Sequence, residues 1–433
     1  MSSPAIDTLI VHAGRPADES TGALRPAVYF SSAYAQPDVA QAAQRFSGST
    51  RGFTYGRTSN PTNSPLEAAI ATLDGAPESV AFANGQSALR VLFDTLLRQG
   101  DEFLISRHLF GGTFGFASGA QARFGWTPGW IDPTNPASAA SLITPKTKFI
   151  LIESVSNPDG VVADLDGYRA LADQHRLPLV IDNTLPTPYL LDAGRVADVV
   201  LYSGTKYLNG HGTGLSGFIT DTGRFNWQSD ERYPAIAAPR GIDLPFTSTH
   251  SHAPLAAAVR FYGTGHGGVL TPHEAFLTLN GLDTLALRLD RQVSNTQQIA
   301  HFLQQHPAVE SVQYSGLPSS PHYARAQKYL PRGAGALLAF NVLGGRDAAI
   351  TVAENLSLFS LAANIGQTRS LVVHPATTTH RQSEDQRRAA GIGPNTLRLS
   401  IGIENPVDLI HDLGRALEIA SKGTARQAIL TPA

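Results

Sequence analysis

The sequence predicts an α/β protein: a mostly parallel central sheet covered by helices, a smaller α+β C-terminal domain and an extended N-terminal arm. Three observations carry this. Short apolar runs without polar alternation recur between Ser79 and Leu201, as strands buried on both faces require. Helix-like stretches alternate with them. Near the C-terminus, Thr396-Leu397-Arg398-Leu399-Ser400-Ile401 alternates apolar and polar residues, the pattern of an antiparallel strand with one covered face. The organisation this implies is 1–62 for the arm, 63–270 for the α/β domain and 271–433 for the C-terminal domain with its linking helices.

Taken in order, the arm is rich in Pro, Gly, Ser and Thr and has little helical periodicity. Leu66 to Leu73 reads as a helix ended by Asp74-Gly75, a stop signal. Ser79-Val80-Ala81-Phe82-Ala83 reads as a strand, after which Asn84-Gly85-Gln86-Ser87 opens a helix to about Leu97. Further core strands are expected at Phe103-Leu104-Ile105, Phe149-Ile150-Leu151-Ile152, Leu179-Val180-Ile181 and Val199-Val200-Leu201. Residues 223–270, dense in Gly, Pro, Thr and His, read as a long irregular segment, and loops of such length in a domain are normally functional. Two long helices are expected at Pro272–Asp290 and Arg291–Gln305, then a strand at Ala336–Val342 and a closing helix at Asp408–Ala420.

The 433 residues suffice for a substantial core, and 42% hydrophobic against 16% charged content is that of a globular chain. A net charge of −2 gives no electrostatic reason for a nucleic-acid or anionic-membrane partner. No run is long and apolar enough for a membrane span, and Met1-Ser2-Ser3-Pro4 lacks a signal-peptide core, so a cytoplasmic enzyme is expected. Cysteine is absent, which excludes disulfides, thiolate catalysis and Cys-ligated metals. His250 with His252, or His374 with His380, do not make a metal-ligand pattern on a helix face; no metal is expected.

The chemistry centres on Ser203-Gly204-Thr205-Lys206-Tyr207, which follows one apolar run, and on Asp182-Asn183-Thr184, which ends another. An amine and an acid at the carboxyl ends of neighbouring strands meet where open α/β sheets bind ligands. The pair suits pyridoxal 5'-phosphate (PLP): Lys206 for a Schiff base, Asp182 for the pyridinium nitrogen. A dianionic phosphate also needs donors. The turn Asn84-Gly85-Gln86-Ser87 offers backbone N–H groups at the start of a helix.

The whole phrase from Asp182-Asn183-Thr184 to Ser203-Gly204-Thr205-Lys206-Tyr207-Leu208-Asn209-Gly210-His211-Gly212 resembles the Cys/Met-metabolism family of PLP enzymes. That family has the PLP-dependent transferase fold type I, and the resemblance runs from about residue 8 to 420. It implies phosphate contacts from Gly85, Gln86, Ser203 and Thr205, with Asn-Gly-Gln standing where the family usually has Ser-Gly-x. It further implies that Tyr55 and Arg57, in Tyr55-Gly56-Arg57-Thr58-Ser59-Asn60-Pro61-Thr62, reach the phosphate of a neighbouring subunit. A dimer is then the active unit, and a tetramer the common assembly. Asn157, within Glu153-Ser154-Val155-Ser156-Asn157-Pro158, is implied near the cofactor ring. Phe110, in Leu109-Phe110-Gly111-Gly112-Thr113, stands where the family has a tyrosine that stacks on the cofactor; it keeps the ring and lacks the hydroxyl. Arg398 matches the clamp on the substrate α-carboxylate, and Asn364, in Ala363-Asn364-Ile365-Gly366, lines the substrate side.

Several phrases resemble the O-acetylhomoserine sulfhydrylase branch, among them His266-Gly267-Gly268-Val269-Leu270-Thr271-Pro272 and Ala376-Thr377-Thr378-Thr379-His380. The expected reaction is γ-replacement on an O-acylhomoserine by sulfide or a thiol, with small molecules as the only substrates. The alternatives are a C–S lyase of the same family, or γ-replacement with a different nucleophile.

Overall fold

The apolar runs form the middle of a seven-stranded sheet because their side chains have two faces to fill. The structure, a computed structural model, describes residues 4–47, 50, 52–228, 230–241, 243–380, 383, 384, 387 and 391–430; Met1–Ser3 of the N-terminal phrase lie outside them. Strands β1 (Glu78–Phe82), β2 (Glu102–Ser106), β3 (Thr127–Ile131), β4 (Thr147–Glu153), β5 (Leu179–Asp182), β6 (Val199–Tyr202) and β7 (Gly217–Asp221) lie in the order β1-β7-β6-β5-β4-β2-β3. All pairs are parallel except those of β7, which is antiparallel to β1 and to β6. The carboxyl ends of β1, β2, β4, β5 and β6 therefore share one edge of the sheet.

Alternate residues of a strand point to opposite faces, and here each face meets its own core. In β4, Ile150 and Ile152 join one cluster with Leu179, Ile181 and Val200. Phe149 and Leu151 join the other with Val180, Val199 and Leu201. Each such fully buried side chain contributes about 1.5–3 kcal/mol.

The structure corrects several expectations. Two strands, β3 and β7, have no apolar run to announce them. β3 carries Pro128 and Gly129, which an edge strand tolerates. The arm has helices at Ile6–His12 and Val39–Phe46, too short for periodicity to reveal. Ile10 packs into the core with Leu66, Ala69 and Ile70, while Asp38 caps the other helix by accepting from Gln41 N–H at 2.7 Å.

Residues 223–270 are irregular in part but carry helices at Pro234–Ala237, Phe246–Thr249 and Pro254–His266. The glycine that made the last of these look like a loop is a packing requirement: a Cβ on Gly263 would lie 2.8 Å from the Phe82 ring. The two long helices break after Leu282, giving Pro272–Leu282 and Leu285–Gln305, not after Asp290. Asp283 at the break is held by Arg15 and Arg25 of the arm, and Arg288 donates to the Gly281 carbonyl at 2.7 Å.

A second sheet follows: β8 (Val309–Gln313), β9 (Leu337–Val342), β10 (Ser360–Leu361), β11 (Leu371–Val373) and β12 (Thr396–Ser400), in the order β10-β11-β12-β9-β8. Only β10 and β11 pair in parallel. β12 corrects the sequence reading as well, since all five of its residues are buried. Its polar face is covered, with Arg398 on the cavity described below. The final helix runs Pro406–Leu430, longer than Asp408–Ala420, and buries Leu409, Leu413, Ala416 and Leu417. Among the described residues no helix is long and apolar enough to cross a membrane.

Candidate active site

The loops leaving the shared strand edge enclose a cavity of about 300 Å³. Gly85 and Gln86 enter it after β1, Phe110 after β2, Asn157 after β4, Asp182 at the end of β5, and Ser203, Thr205 and Lys206 after β6. The second sheet closes it with Asn364 and Arg398. Ten of the twelve site residues expected from sequence thus line one cavity.

The other two do not. Tyr55 and Arg57 lie outside, where Arg57 donates to the Thr264 carbonyl at 2.9 Å and stands 5.5 Å from the Tyr55 ring centroid.

Lys206 Nζ donates to Asn364 Oδ1 at 2.6 Å. Burial, and secondarily the charge of Arg398, lower its pKa to about 8. A glycine makes this junction possible. Gly366 has φ +78°, and a Cβ there would lie 2.7 Å from the Tyr207 nitrogen. Arg398 is 3% exposed; it donates to Asn157 Oδ1 and to the Asn364 carbonyl, both at 3.0 Å. Burial lowers its pKa to about 10, and its Nε is buried with no hydrogen-bond partner among the described residues, a donor left unsatisfied where buried donors are normally paired.

Asp182 accepts from Thr184 N–H at 3.0 Å, and burial raises its pKa because no ion pair offsets it among the described residues. Beside it in the β4–β5 register stands Glu153, whose pKa is raised well above the ordinary carboxylate range by burial and by Asp182.

The phosphate-type cradle is built by packing. A Cβ on Gly85 would lie 2.9 Å from Ser203 Cβ, so only glycine lets the β1 turn approach the β6 turn. Asn84 caps the helix Gly85–Leu96 by accepting from Ser87 N–H at 2.9 Å, leaving the first-turn N–H groups of Gly85 and Gln86 without partners inside the helix. Thr205 is more committed than expected. Its hydroxyl donates to the Ser216 carbonyl at 3.2 Å and accepts from Ser216 N–H at 3.1 Å.

Sequence reasoning missed two supports, Thr184, whose hydroxyl accepts from Ser203 N–H at 2.8 Å, and Ser216, and it marked Glu153 only as the start of the phrase that holds Asn157, without a role. Isolated polar residues after strands carry no periodic signal. Thr184 alone could have been read from its place in the Asp182-Asn183-Thr184 phrase.

Comparison with known proteins decides the family, since the model of the Cys/Met metabolism PLP-dependent enzymes matches residues 7–418. The chain belongs to that family. An O-acetyl-L-homoserine sulfhydrylase of Corynebacterium glutamicum is 37% identical, covering 94% of this chain and 95% of its own. An L-methionine gamma-lyase of Pseudomonas deceptionensis is 38% identical, covering 95% of this chain and 96% of its own. A crystal structure from Campylobacter jejuni, holding N'-pyridoxyl-lysine-5'-monophosphate, superposes with a TM-score of 0.90 at 33% identity, covering 96% of this chain and 100% of that one. As a PLP-dependent family member this chain is an enzyme, and its cofactor is PLP.

One ion pair braces the loops of this cavity. His108 Nδ1 lies 2.7 Å from Asp159 Oδ2, joining the segment that bears Phe110 to the one that bears Asn157. Burial opposes the charge on His108, yet Asp159 outweighs it and raises the imidazole above its ordinary 6.5. Asp159 is held below its ordinary 3.8, His108 prevailing over burial. The His108 contribution is complete below pH 6.5 and lost as pH rises through its folded pKa; that of Asp159 is complete above 3.8 and lost as pH falls through its own. His108→Ala is therefore expected to cost about 2 kcal/mol between pH 4 and 6.5 and less at pH 9. Urea unfolding at pH 5.5 and 9 checks this; an equal loss at both would reject the charged pair.

Proposed function

We propose that this enzyme replaces the acyloxy group at Cγ of O-acetyl-L-homoserine, or another O-acylhomoserine, with sulfide or a thiol. The products are homocysteine or a related sulfur amino acid and the free carboxylic acid. The observation that carries this reading is the meeting of Lys206, Asp182 and Arg398 on one cavity, in a chain whose relatives include O-acetyl-L-homoserine sulfhydrylases.

PLP, when bound, supplies the electron sink that lets an α-amino acid lose its Cα proton. The remaining tasks fall to the chain. The Asp182 carboxylate would hold a proton on the cofactor's ring nitrogen, and the buried site without a counter-cation fits that role. The N–H groups of Gly85 and Gln86, with Ser203, would hold the phosphate. The Thr205 hydroxyl assists only if it leaves the Ser216 carbonyl. Asn157 would stand beside the cofactor ring.

Arg398 would clamp the substrate carboxylate, a planar bidentate pairing that fixes the direction of the Cα–H bond. Its unpartnered Nε fits an incoming acceptor. Asn364 lines the same side. Lys206 Nζ, kept from full protonation by burial and by Arg398, would take the Cα proton and return it. At Cγ the carbon–oxygen bond breaks, the acid leaves with the electron pair, and sulfur bonds in its place. Phe110 would contribute ring surface but no proton.

We further propose a homodimer as the smallest active unit, assembling to a tetramer, with Tyr55 and Arg57 of residues 1–62 completing the partner's phosphate site. Leu24, Phe30, Val39 and Phe46 of this arm are 78, 77, 87 and 73% exposed in the single chain, apolar surface that marks an interface. The two sheets fit the division into 63–270 and 271–433.

A second reading is elimination, favoured by the 38% identity to L-methionine gamma-lyase. The test is a product assay on purified holoenzyme with O-acetyl-L-homoserine and sulfide, run beside L-methionine, with light scattering for mass. Homocysteine and acetate are expected from an oligomer. 2-Oxobutyrate and ammonia from methionine, without homocysteine from the ester, would move the assignment to a lyase, and an active monomer would reject the shared phosphate site.

A further inference from the structure

We infer that Glu153 is the positioning residue that fixes Phe110 and the Arg398 carboxylate site in one relation to each other. Its side chain makes two contacts, one to each wall of the cavity. Oε1 accepts from Phe110 N–H at 2.7 Å, and Oε2 accepts from Asn157 N–H at 3.2 Å. Asn157 in turn accepts from Arg398 Nη1 at 3.0 Å. A single carboxyl group on the last residue of β4 therefore sets the spacing between the ring at the cavity mouth and the guanidinium opposite.

The surroundings leave these contacts little slack. Phe110 precedes the helix Gly111–Ser118, and Gly111 sits so close to the second sheet's loop that a Cβ would lie 2.0 Å from the Thr379 carbonyl oxygen. A Cβ on Gly112 would lie 2.6 Å from the Phe110 ring itself. Glu153 is 7% exposed, and its neighbour across the strands is Asp182. Two carboxyl groups side by side in a buried place are costly. An ionised carboxyl is the side chain whose two oxygens both accept at once, and each oxygen here faces one N–H. Ligand-orienting residues behind a binding site commonly carry 10–100-fold of its performance, as in metal centres, and a displacement of about 1 Å costs on the order of 100-fold.

The inference rests on the reading that Arg398 takes the substrate carboxylate, and the experiment separates the two. Glu153→Gln keeps the volume and one accepting oxygen but turns an NH₂ toward the second N–H donor. Glu153→Ala removes both acceptors. Both variants, with Arg398→Ala as the control, are compared as PLP-loaded enzymes for KM and kcat with O-acetyl-L-homoserine and for cofactor absorbance and thermal midpoint.

The expected result is a KM raised about 10-fold in Glu153→Gln, with kcat moved less and the cofactor spectrum retained, and a larger rise in Glu153→Ala. A bracing role confined to stability would lower the midpoint and leave KM alone. KM unchanged in Glu153→Gln while Arg398→Ala raises it overturns the positioning role. KM unchanged in Arg398→Ala rejects the carboxylate site and this inference with it. Should Glu153→Ala fail to fold or to retain PLP, Glu153→Gln decides.

Discussion

Lys206→Ala is expected to lower kcat by about 10⁴-fold, the upper range for losing a general base and covalent anchor together. The amine lies where the proton must be handled: Nζ is on the cavity, 2.6 Å from Asn364 Oδ1. Burial and Arg398 bring its pKa to about 8, so near that pH roughly half of the amine is free to accept a proton. Water entering the space left by the side chain has no comparable basicity. Lys206→Arg is expected to fare no better, because a guanidinium remains charged at any working pH. The cofactor should still bind through the other residues of the site, without a covalent link to the chain. Turnover under saturating substrate, read beside the mass of the denatured protein after borohydride treatment, tests both halves. Full activity in Lys206→Ala would remove the central assignment.

The site was more legible than the fold because its residues fall in contiguous phrases. Ser203, Thr205 and Lys206 fall in one turn of Ser203-Gly204-Thr205-Lys206, and Asp182 ends an apolar strand, so chain order already placed them at one edge. What joins this edge to the second sheet was not legible. Arg398 meets Asn157 across 241 positions of sequence, a pairing that no local pattern encodes. β12 shows the limit of periodicity: its alternation is real, but its polar face is buried and not in solvent, with Arg398 on the cavity. Glycine misled in the opposite sense at residues 223–270. Gly263 sits within a regular helix because Phe82 leaves no room for a side chain, whereas composition alone reads glycine as a turn. The short helices of the arm depend on Asp38 capping and on Ile10 docking, and neither spans enough turns to be counted.

Asp182→Asn separates charge from shape at the other pole of the site. Asparagine keeps an oxygen for Thr184 N–H, now at 3.0 Å, and about the same volume, so the change removes a negative charge and little else. A loss of about 100–1000-fold in kcat is expected, the usual effect of deleting one preorganised electrostatic partner, with KM less affected. The same change should stabilise the protein without PLP. Asp182 is buried and its pKa is raised above the ordinary 3.8. The unfolded carboxyl therefore loses its proton at lower pH than the folded one, and the fold loses stability as pH rises from 3.8 through the folded value. The cost grows as pH rises above about 4 and is complete once pH exceeds the folded value; at lower pH it is absent. Asp182→Asn apoprotein should then unfold at higher urea than the native apoprotein at pH 8, and the difference should vanish near pH 4. Relief of the neighbouring charge also brings Glu153 nearer its ordinary pKa, since after burial Asp182 is the largest influence raising it. With PLP bound the order should reverse, because the cationic ring nitrogen offsets the carboxylate only when the carboxylate is there. A native apoprotein more stable than the variant at pH 8 would mean that the chain already compensates this charge, and the pairing with the cofactor would lose its physical basis.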